Sequence, residues 1–288
     1  MVGFLIKFLK TKRNNSRFRL PGFGLSSGIT LTYLSVLVLI PLAVMVLTSA
    51  TVTRHELVAI LTNPRVVSAF RVTVSTSIVA ALINGVFGTL VAWVHSRYSY
   101  PGKRIMDALI DLPFALPTAV AGIALTALFA QSGWLGRFLI PLGVSLNYSW
   151  WGITIALVFV GMPFVIRTVE PVLDDFDKEL EEAARTLGAT PFQTFTRVIF
   201  PLLIPAVLTG TTLAFARCLG EYGSVVFISG NMPLKTEIVP LLIITKLEQY
   251  DYLGATVIAS SMLLLSFVLL IVVNGIQWLH RRRLGMEP

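Results

Sequence analysis

Six long runs of sequence contain no Asp, Glu, Lys, Arg or His, and they restrict the possible folds of this chain more than any other feature. Each run can hold the roughly 20 residues with which a helix crosses about 30 Å of hydrocarbon. The alternating pattern of a membrane-spanning β-barrel is absent. The sequence therefore predicts an all-α integral membrane protein with six transmembrane helices. The runs cover residues 20–53, 72–94, 112–136, 138–166, 198–216 and 252–279.

Composition supports a chain that is solvated mostly by lipid. Charged residues make up 13% of the sequence, about half of the ~25% that is usual in soluble domains. The first apolar run is longer than the 7–15 residues of a signal-peptide core, so it predicts a retained helix over residues 25–50. The single cysteine, Cys218, allows no intrachain disulfide.

The basic residues predict the orientation of the chain. With the N-terminus inside, 16 of the 23 Lys and Arg residues fall on the inner side and 6 on the outer side. Lys and Arg accumulate in cytoplasmic segments, so residues 1–24 and 280–288 are predicted to be cytoplasmic tails. The same rule accounts for the net charge of +8 without a nucleic-acid partner.

No metal site is predicted. His55 and His95 are placed in loops and His280 at the end of a span, far apart in the sequence. Each histidine is expected to be a surface or interface residue.

The third span carries two prolines, Pro113 and Pro117, followed by Gly122. Proline removes a backbone donor and kinks a helix. In a membrane such a break is tolerated where protein or a water-filled cavity satisfies the freed backbone groups. Two interpretations remain open, a kink that serves packing and a gating kink in a helix that lines a path. After the fifth span, residues 222–233 are too short to cross a membrane and predict a re-entrant or interfacial element.

Between the fourth and fifth spans the sequence predicts two helices joined by a tight turn. Leu173, Phe176, Leu180 and Leu187 recur at steps of three and four, which is typical of an apolar stripe on one helix. Acidic residues in the first turn suit the helix dipole, and Gly188 suits a left-handed C-terminal cap. Thr190 and Gln193 fit a capping box that starts the second helix.

The charge of this segment favours a protein partner. Residues 174–185 contain six carboxylates against Lys178 and Arg185. Amphipathic helices that lie on lipid usually have a basic polar face, and the cytoplasmic leaflet would repel an acidic one.

The same segment resembles a known family. Glu182-Ala183-Ala184, three residues, Gly188, nine residues and then residues 198–201 (VIFP) are similar to the EAA motif of permease subunits of ATP-binding-cassette importers. The family pattern has Ile and Leu where this chain has Val198 and Phe200, which are also apolar. The resemblance extends over residues 66–279, which it identifies as the importer transmembrane domain.

The resemblance implies a type I importer permease fold in which the short helix is a coupling helix that docks on a partner ATPase. The residues expected to couple are Leu180, Glu182, Ala183, Ala184, Leu187 and Gly188. The chain has no phosphate-binding loop of the P-loop type, so it is expected to be a transport subunit and not an enzyme. It binds no cofactor itself, and ATP and Mg belong to the ATPase.

Arg217, near the outer end of the fifth span, suggests a contact with the substrate. An ionisable residue within a span normally has a partner, and Glu221 lies one turn later. One interpretation is a self-satisfied ion pair. The other is a guanidinium that offers a site to an oxyanion, with Glu221 preventing the anion from being trapped.

Residues 111–122, 217–225 and 228–233 resemble the sulfate/thiosulfate and molybdate permeases, and residues 247–252 resemble sulfate permeases of the CysT type. This resemblance adds Asn231 to Arg217 and Glu221 as an expected anion path. It implies alternating access in a bacterial inner membrane, with a plastid envelope also open. The expected partners are two ATPase copies, a second homologous permease, a periplasmic sulfate/thiosulfate-binding protein and membrane lipid. The alternatives are a molybdate/tungstate permease, expected as a homodimer, and an ion-gradient-driven secondary transporter.

Overall fold

The computed structural model describes residues 23–176 and 178–283, and every regular element in those ranges is helical. The chain forms two compact units, Met1–Thr51 and Val52–Pro288. Most of the predicted N-terminal tail (residues 1–22), Asp177 and residues 284–288 lie outside the described residues.

The first unit contains one apolar helix, α1, which spans Phe23–Ala50. It begins two residues before the predicted span. A π-helical turn interrupts it at Ser35–Leu39, and none of its side chains is buried. Because no described residue of the unit covers it, the apolar surface of α1 must be covered by lipid or by another protein.

The second unit contains the remaining helices. Four of them, α3, α7, α9 and α12, are long and apolar enough to cross a membrane. In chain order the helices are α2 (Arg54–Leu61), α3 (Pro64–Arg97), α4 (Lys103–Ala115), α5 (Thr118–Phe129), α6 (Gly136–Leu139), α7 (Trp150–Asp174), α8 (Lys178–Thr186), α9 (Pro191–Leu219), α10 (Gly223–Ile228), α11 (Val239–Glu248) and α12 (Tyr252–Arg283).

Helices α3, α7 and α9 pack along one another and form the centre of the second unit. Glycine lets their backbones approach closely, as is common in membrane bundles. A Cβ added at Gly88 of α3 or at Gly210 of α9 would lie 2.9 Å from an atom of Val165 in α7. The apolar residues between them, including Val169 and Leu203, are fully buried.

The predicted third span is sharply broken. Helices α4 and α5 meet at an angle of 114°, and the six predicted spans are reached when this bent pair counts as one. The break lies at Leu116, whose ψ of 136° is extended. The residue before a proline is pushed out of the α region, which accounts for a break before Pro117. Pro113 lies inside α4 and does not end it.

The fourth span is longer than predicted. The sequence placed its end near Ile166, the last residue before charge reappears, but α7 continues to Asp174. Arg167 and Glu170 form an i, i+3 ion pair of 2.8 Å on this extension. Leu173 packs into the central core and is buried. The helix therefore continues because its charges are paired and its apolar face still has a core to cover.

Helix α9 contains a π-helical turn over Phe195–Ile199. The helix is continuous from Pro191 to Leu219, so it begins before the charge-free run over residues 198–216 that predicted the fifth span. Thr190 caps its start through the predicted capping box with Gln193.

The short helices α10 and α11 follow α9. A Cβ at Gly122 of α5 would lie 2.4 Å from the carbonyl oxygen of Ser224, so α5 and α10 touch backbone to backbone. At the α11–α12 turn, Lys246 Nζ donates to Asp251 at 2.8 Å and the N–H of Gly254 donates at 2.9 Å. These two donors hold the pKa of Asp251 below its ordinary value.

An ion pair between a partly exposed arginine and a buried glutamate joins the start of α3 to the segment before α11. Arg65 donates from Nε and Nη2 to the two carboxylate oxygens of Glu237, each at 2.7 Å. The Glu237 side chain is only 1% exposed. We expect Arg65→Ala to lower the stability of the folded chain by about 1–3 kcal/mol, because it leaves a buried carboxylate without its counter-charge, although the arginine itself is partly exposed to solvent. Thermal unfolding in detergent measures this change.

Two further variants test the Arg65 prediction. Arg54 is exposed at the start of α2, so Arg54→Ala is a matched control and is expected to unfold like the wild type. The double variant Arg65→Ala/Glu237→Ala removes both charges and is expected to recover part of the loss. Equal stability of Arg65→Ala and Arg54→Ala would contradict the prediction.

Candidate functional site

The predicted coupling segment is helical, but it starts later than expected. α8 spans Lys178–Thr186, and its first turn carries Glu179 and Glu181. The prediction of one helix with a stripe from Leu173 to Leu187 is wrong, because Leu173 belongs to α7 and Phe176 lies in the break between the two helices. The burial of Leu173 in the core holds α7 intact up to that point.

The turn after α8 is as predicted. Gly188 has a φ of +82°, the left-handed conformation that glycine adopts without a steric penalty. The N–H of Ala189 donates to the carbonyl of Ala184 at 3.0 Å, and the N–H of Gly188 donates to that of Arg185 at 2.9 Å. These two bonds form a Schellman motif. The second helix then begins at once, so α8 and α9 are held in a tight helix-turn-helix.

The segment presents apolar side chains to the outside. Leu187 is 88% exposed, and Leu180, Glu182 and Ala183 are also exposed. Phe192, in the first turn of α9, is exposed as well. An apolar surface surrounded by carboxylates fits a docking face for a protein better than one for an anionic lipid surface. Ala184 is half-buried.

Arg217 and Glu221 are brought together at the end of α9. Arg217 Nη1 lies 2.5 Å from Glu221 Oε2, and the carboxylate is 2% exposed whereas the arginine is 34% exposed. The other oxygen of Glu221 accepts from the N–H and the hydroxyl of Ser224 at 2.9 and 3.0 Å. The carboxylate is thus fully engaged, and the guanidinium keeps an open side that could meet an anion.

Asn231 belongs to a separate turn. Its backbone is left-handed, with a φ of 47°, and its N–H donates to Ser229 Oγ at 3.2 Å. Among the described hydrogen bonds and ion pairs, none joins Asn231 to Arg217 or Glu221. Its side-chain oxygen is buried and has no partner among the described residues. Of the three residues predicted to form an anion path, the structure brings Arg217 and Glu221 together and places Asn231 in a separate turn.

Comparison with known proteins agrees with this architecture. Residues 84–286 match the family described as the inner membrane component of binding-protein-dependent transport systems. The chain belongs to this family. Family membership makes it a multi-pass membrane component of a transport system and not an enzyme.

Two relatives illustrate how far the similarity extends. The sulfate transport system permease protein CysT of Escherichia coli strain K12 is 46% identical over 269 residues, which are 93% of this chain and 97% of the relative. The protein of the same name from Synechocystis sp. is 49% identical over 254 residues, 88% of this chain and 89% of the relative.

Solved structures share the fold of this inner membrane component at low sequence identity. A chain of a bacterial alginate ABC transporter, in complex with a pentasaccharide-bound periplasmic protein, has a TM-score of 0.74 and 15% identity over 92% of this chain and 96% of its own length. A chain of a methionine ABC transporter in an inward-facing conformation has a TM-score of 0.52 and 20% identity. The match covers 75% of this chain and 95% of the transporter chain. At such identities the similarity shows the fold alone.

The transport component also contains a charged cluster that the sequence analysis missed. Arg167 of α7 donates to both oxygens of Asp111 at 2.9 and 2.8 Å, to Asp107 at 2.6 Å and to Glu170 at 2.8 Å. The cluster ties α4 to α7. The spacings Asp107/Asp111 and Arg167/Glu170 at the ends of neighbouring spans were the signal that could have indicated it.

The prediction for His95 is wrong. His95 lies in α3 and not in a loop, and it is 3% exposed. His55 also lies in a helix, α2, and not in a loop, although it is exposed as expected. The Nδ1 of His95 lies 3.0 Å from the hydroxyl of Tyr100, and its Nε2 lies 3.5 Å from Asp107 and 3.6 Å from Glu170. The three groups are close enough to share a metal ion, but the guanidinium of Arg167 already pairs with both carboxylates. The geometry of the cluster therefore fits an ion-pair network that connects the helices better than it fits a metal centre.

Proposed function

We propose that this chain is the membrane-spanning permease subunit of an ATP-driven importer of sulfate or thiosulfate. The observation that supports this most strongly is the similarity of nearly the whole chain to proteins named as sulfate transport permeases, at 43–49% identity for eight relatives. The chain resides in the bacterial inner membrane with both termini in the cytoplasm, which agrees with the inside bias of its Lys and Arg residues.

The exposed α8 and the turn at Gly188 are the docking element for a partner ATPase. Leu180 and Leu187 provide the apolar contact, and Glu182, Ala183 and Ala184 complete the coupling surface. Two ATPase copies bind ATP and Mg, and their closure moves α8. A second, homologous permease subunit pairs with this chain in the membrane, and a periplasmic binding protein delivers the anion to the outer face.

The anion passes the open side of Arg217. A planar guanidinium offers two parallel donors to the oxygens of a tetrahedral anion. Glu221 already neutralises part of that charge, so the anion is held briefly and then released. The 114° break between α4 and α5 gives the path a joint at Pro117, with Pro113 one turn before it, at which the two halves can reorient.

The full importer complex in proteoliposomes tests this function. We expect the complex to take up radiolabelled sulfate only when ATP and the binding protein are present. Unlabelled sulfate and thiosulfate are expected to suppress this uptake. When labelled sulfate saturates the binding site, a tenfold excess of a competitor with equal affinity lowers the labelled uptake by about tenfold. Molybdate at the same concentration is expected to leave most of the labelled uptake unchanged. Stronger suppression by molybdate than by sulfate, or uptake driven by an ion gradient without ATP, would overturn the proposal.

A further inference from the structure

The side chain of Glu181 attaches helix α8 to the spanning helices. Leu180, Glu182, Ala183 and Arg185 are exposed, whereas the side chain of Glu181 is only 16% exposed. Glu181 therefore points from the coupling helix towards the bundle. Its Oε1 lies 2.6 Å from Nη2 of Arg97, the last residue of α3.

Arg97 is held in an aromatic environment. Its guanidinium carbon lies 5.3 Å from the ring centroid of Trp93 and 5.5 Å from that of Phe176, distances at which a cation is attracted to a ring face. The Arg97 side chain is also 16% exposed. Its Nε and Nη2 and the Oε1 of Glu181 are buried and have no hydrogen-bond partner of suitable geometry among the described residues, so the contact between Arg97 and Glu181 is an ion pair without a hydrogen bond. Glu181 is thus the one anion that pairs with this buried cation in the described part of the chain.

These contacts join four parts of the fold. Trp93 belongs to α3 and packs edge to face against Phe195 of α9, with ring centroids 5.0 Å apart. Phe176 lies in the break between α7 and α8. A second contact, from Ser96 Oγ to the carboxylate of Asp174, lies beside the first. The end of α3 is therefore connected to the coupling helix, to the break before it and to the π-helical turn of α9.

We propose that Arg97 and Glu181 form a strut that transmits the movement of α8 to helix α3. The inference rests on the proposed function, because it requires an ATPase that moves α8. A displacement of α8 cannot leave Arg97 behind without separating an ion pair in a mostly dry site, where charge–charge attraction is strong. The two aromatic rings restrict the guanidinium, so the displacement passes to the α3 backbone instead of being absorbed by side-chain rotation. Arg97 and Glu181 are positioning residues that lie outside the EAA motif.

The test measures sulfate transported per ATP hydrolysed in proteoliposomes that contain the complete importer. We expect Arg97→Gln and Glu181→Gln each to lower this ratio by about tenfold while ATP hydrolysis continues. The double variant is expected to have the same ratio of sulfate to ATP as either single variant, because the effects of two residues that act as one unit do not add. The amount of assembled complex, measured by co-purification of the ATPase, is recorded for each variant.

Matched controls are Arg104→Gln and Glu248→Gln, which neutralise exposed side chains on α4 and α11 and are expected to keep the wild-type ratio. A merely structural role would lower the amount of complex but leave the ratio in the remaining complex unchanged, and that result would overturn the proposal. Additive losses in the double variant would overturn it as well. Failure of the wild-type complex to take up sulfate would instead refute the proposed function before any variant is compared.

Discussion

Replacing Gly188 by valine is expected to uncouple ATP hydrolysis from transport. The residue has a φ of +82°, and this conformation costs an L-residue about 1–2 kcal/mol, with β-branched side chains at the upper end. Such a cost corresponds to about a five- to thirtyfold change in the population of the tight turn. The Schellman bonds at Ala184 and Arg185 would be lost with it. We expect a fall of about tenfold in sulfate transported per ATP.

Gly188→Asn provides the control for this prediction. No atom lies within 4 Å of a Cβ added at Gly188, so the space is open and the backbone angle alone is tested. Asparagine tolerates the left-handed region, so we expect Gly188→Asn to retain most of the coupling. Equal behaviour of the valine and asparagine variants would show that the turn geometry does not matter for coupling.

Arg217→Ala is expected to reduce sulfate uptake while the complex still assembles. Loss of a charge-assisted contact to the anion, worth about 1.5–3 kcal/mol, corresponds to a fall of about ten- to a hundredfold in uptake. Assembly persists because the Glu221 carboxylate keeps its two bonds from Ser224. Uptake and co-purification of the partner subunits are measured on the same preparation. Normal uptake by this variant would refute a role for Arg217 in the path.

A double variant separates an anion contact from an internal ion pair. In Arg217→Gln/Glu221→Gln no buried carboxylate is left unpaired, so a purely structural pair predicts recovery relative to Arg217→Gln alone. An anion contact predicts that uptake stays low, because the guanidinium is still missing. Recovery to wild-type uptake in the double variant would assign the pair to packing alone.

Local features of the sequence predicted much of the fold. Charge-free runs predicted six spans because lipid accepts no unpaired charge, and Gly188, Thr190 and Gln193 predicted their turn because capping depends on neighbours in sequence. The pairing of Arg217 with Glu221 could be predicted from the sequence for the same reason, since the two residues lie one helical turn apart.

Features that depend on distant partners were not predictable from one sequence. Helix α7 passes the point where charge returns because Asp107 and Asp111, some 60 residues away, neutralise Arg167. His95 was assigned to a loop because the charge-free run over residues 72–94 ends just before it, and its partners Asp107 and Glu170 lie on other helices. The prolines indicated a kink in the third span, but they predicted neither its angle of 114° nor the backbone contact of α5 with α10.

The π-helical turn at Phe195–Ile199 sets the phase of α9. One residue of an α-helix corresponds to a rotation of about 100°, so a one-residue deletion there would turn Arg217 away from its present face relative to the capped start at Thr190. The nine residues between Gly188 and Val198 therefore set the angle between the proposed ATPase-docking surface and the side chain of Arg217, which we propose faces the anion. An engineered coupling segment would have to preserve this angle as well as its sequence.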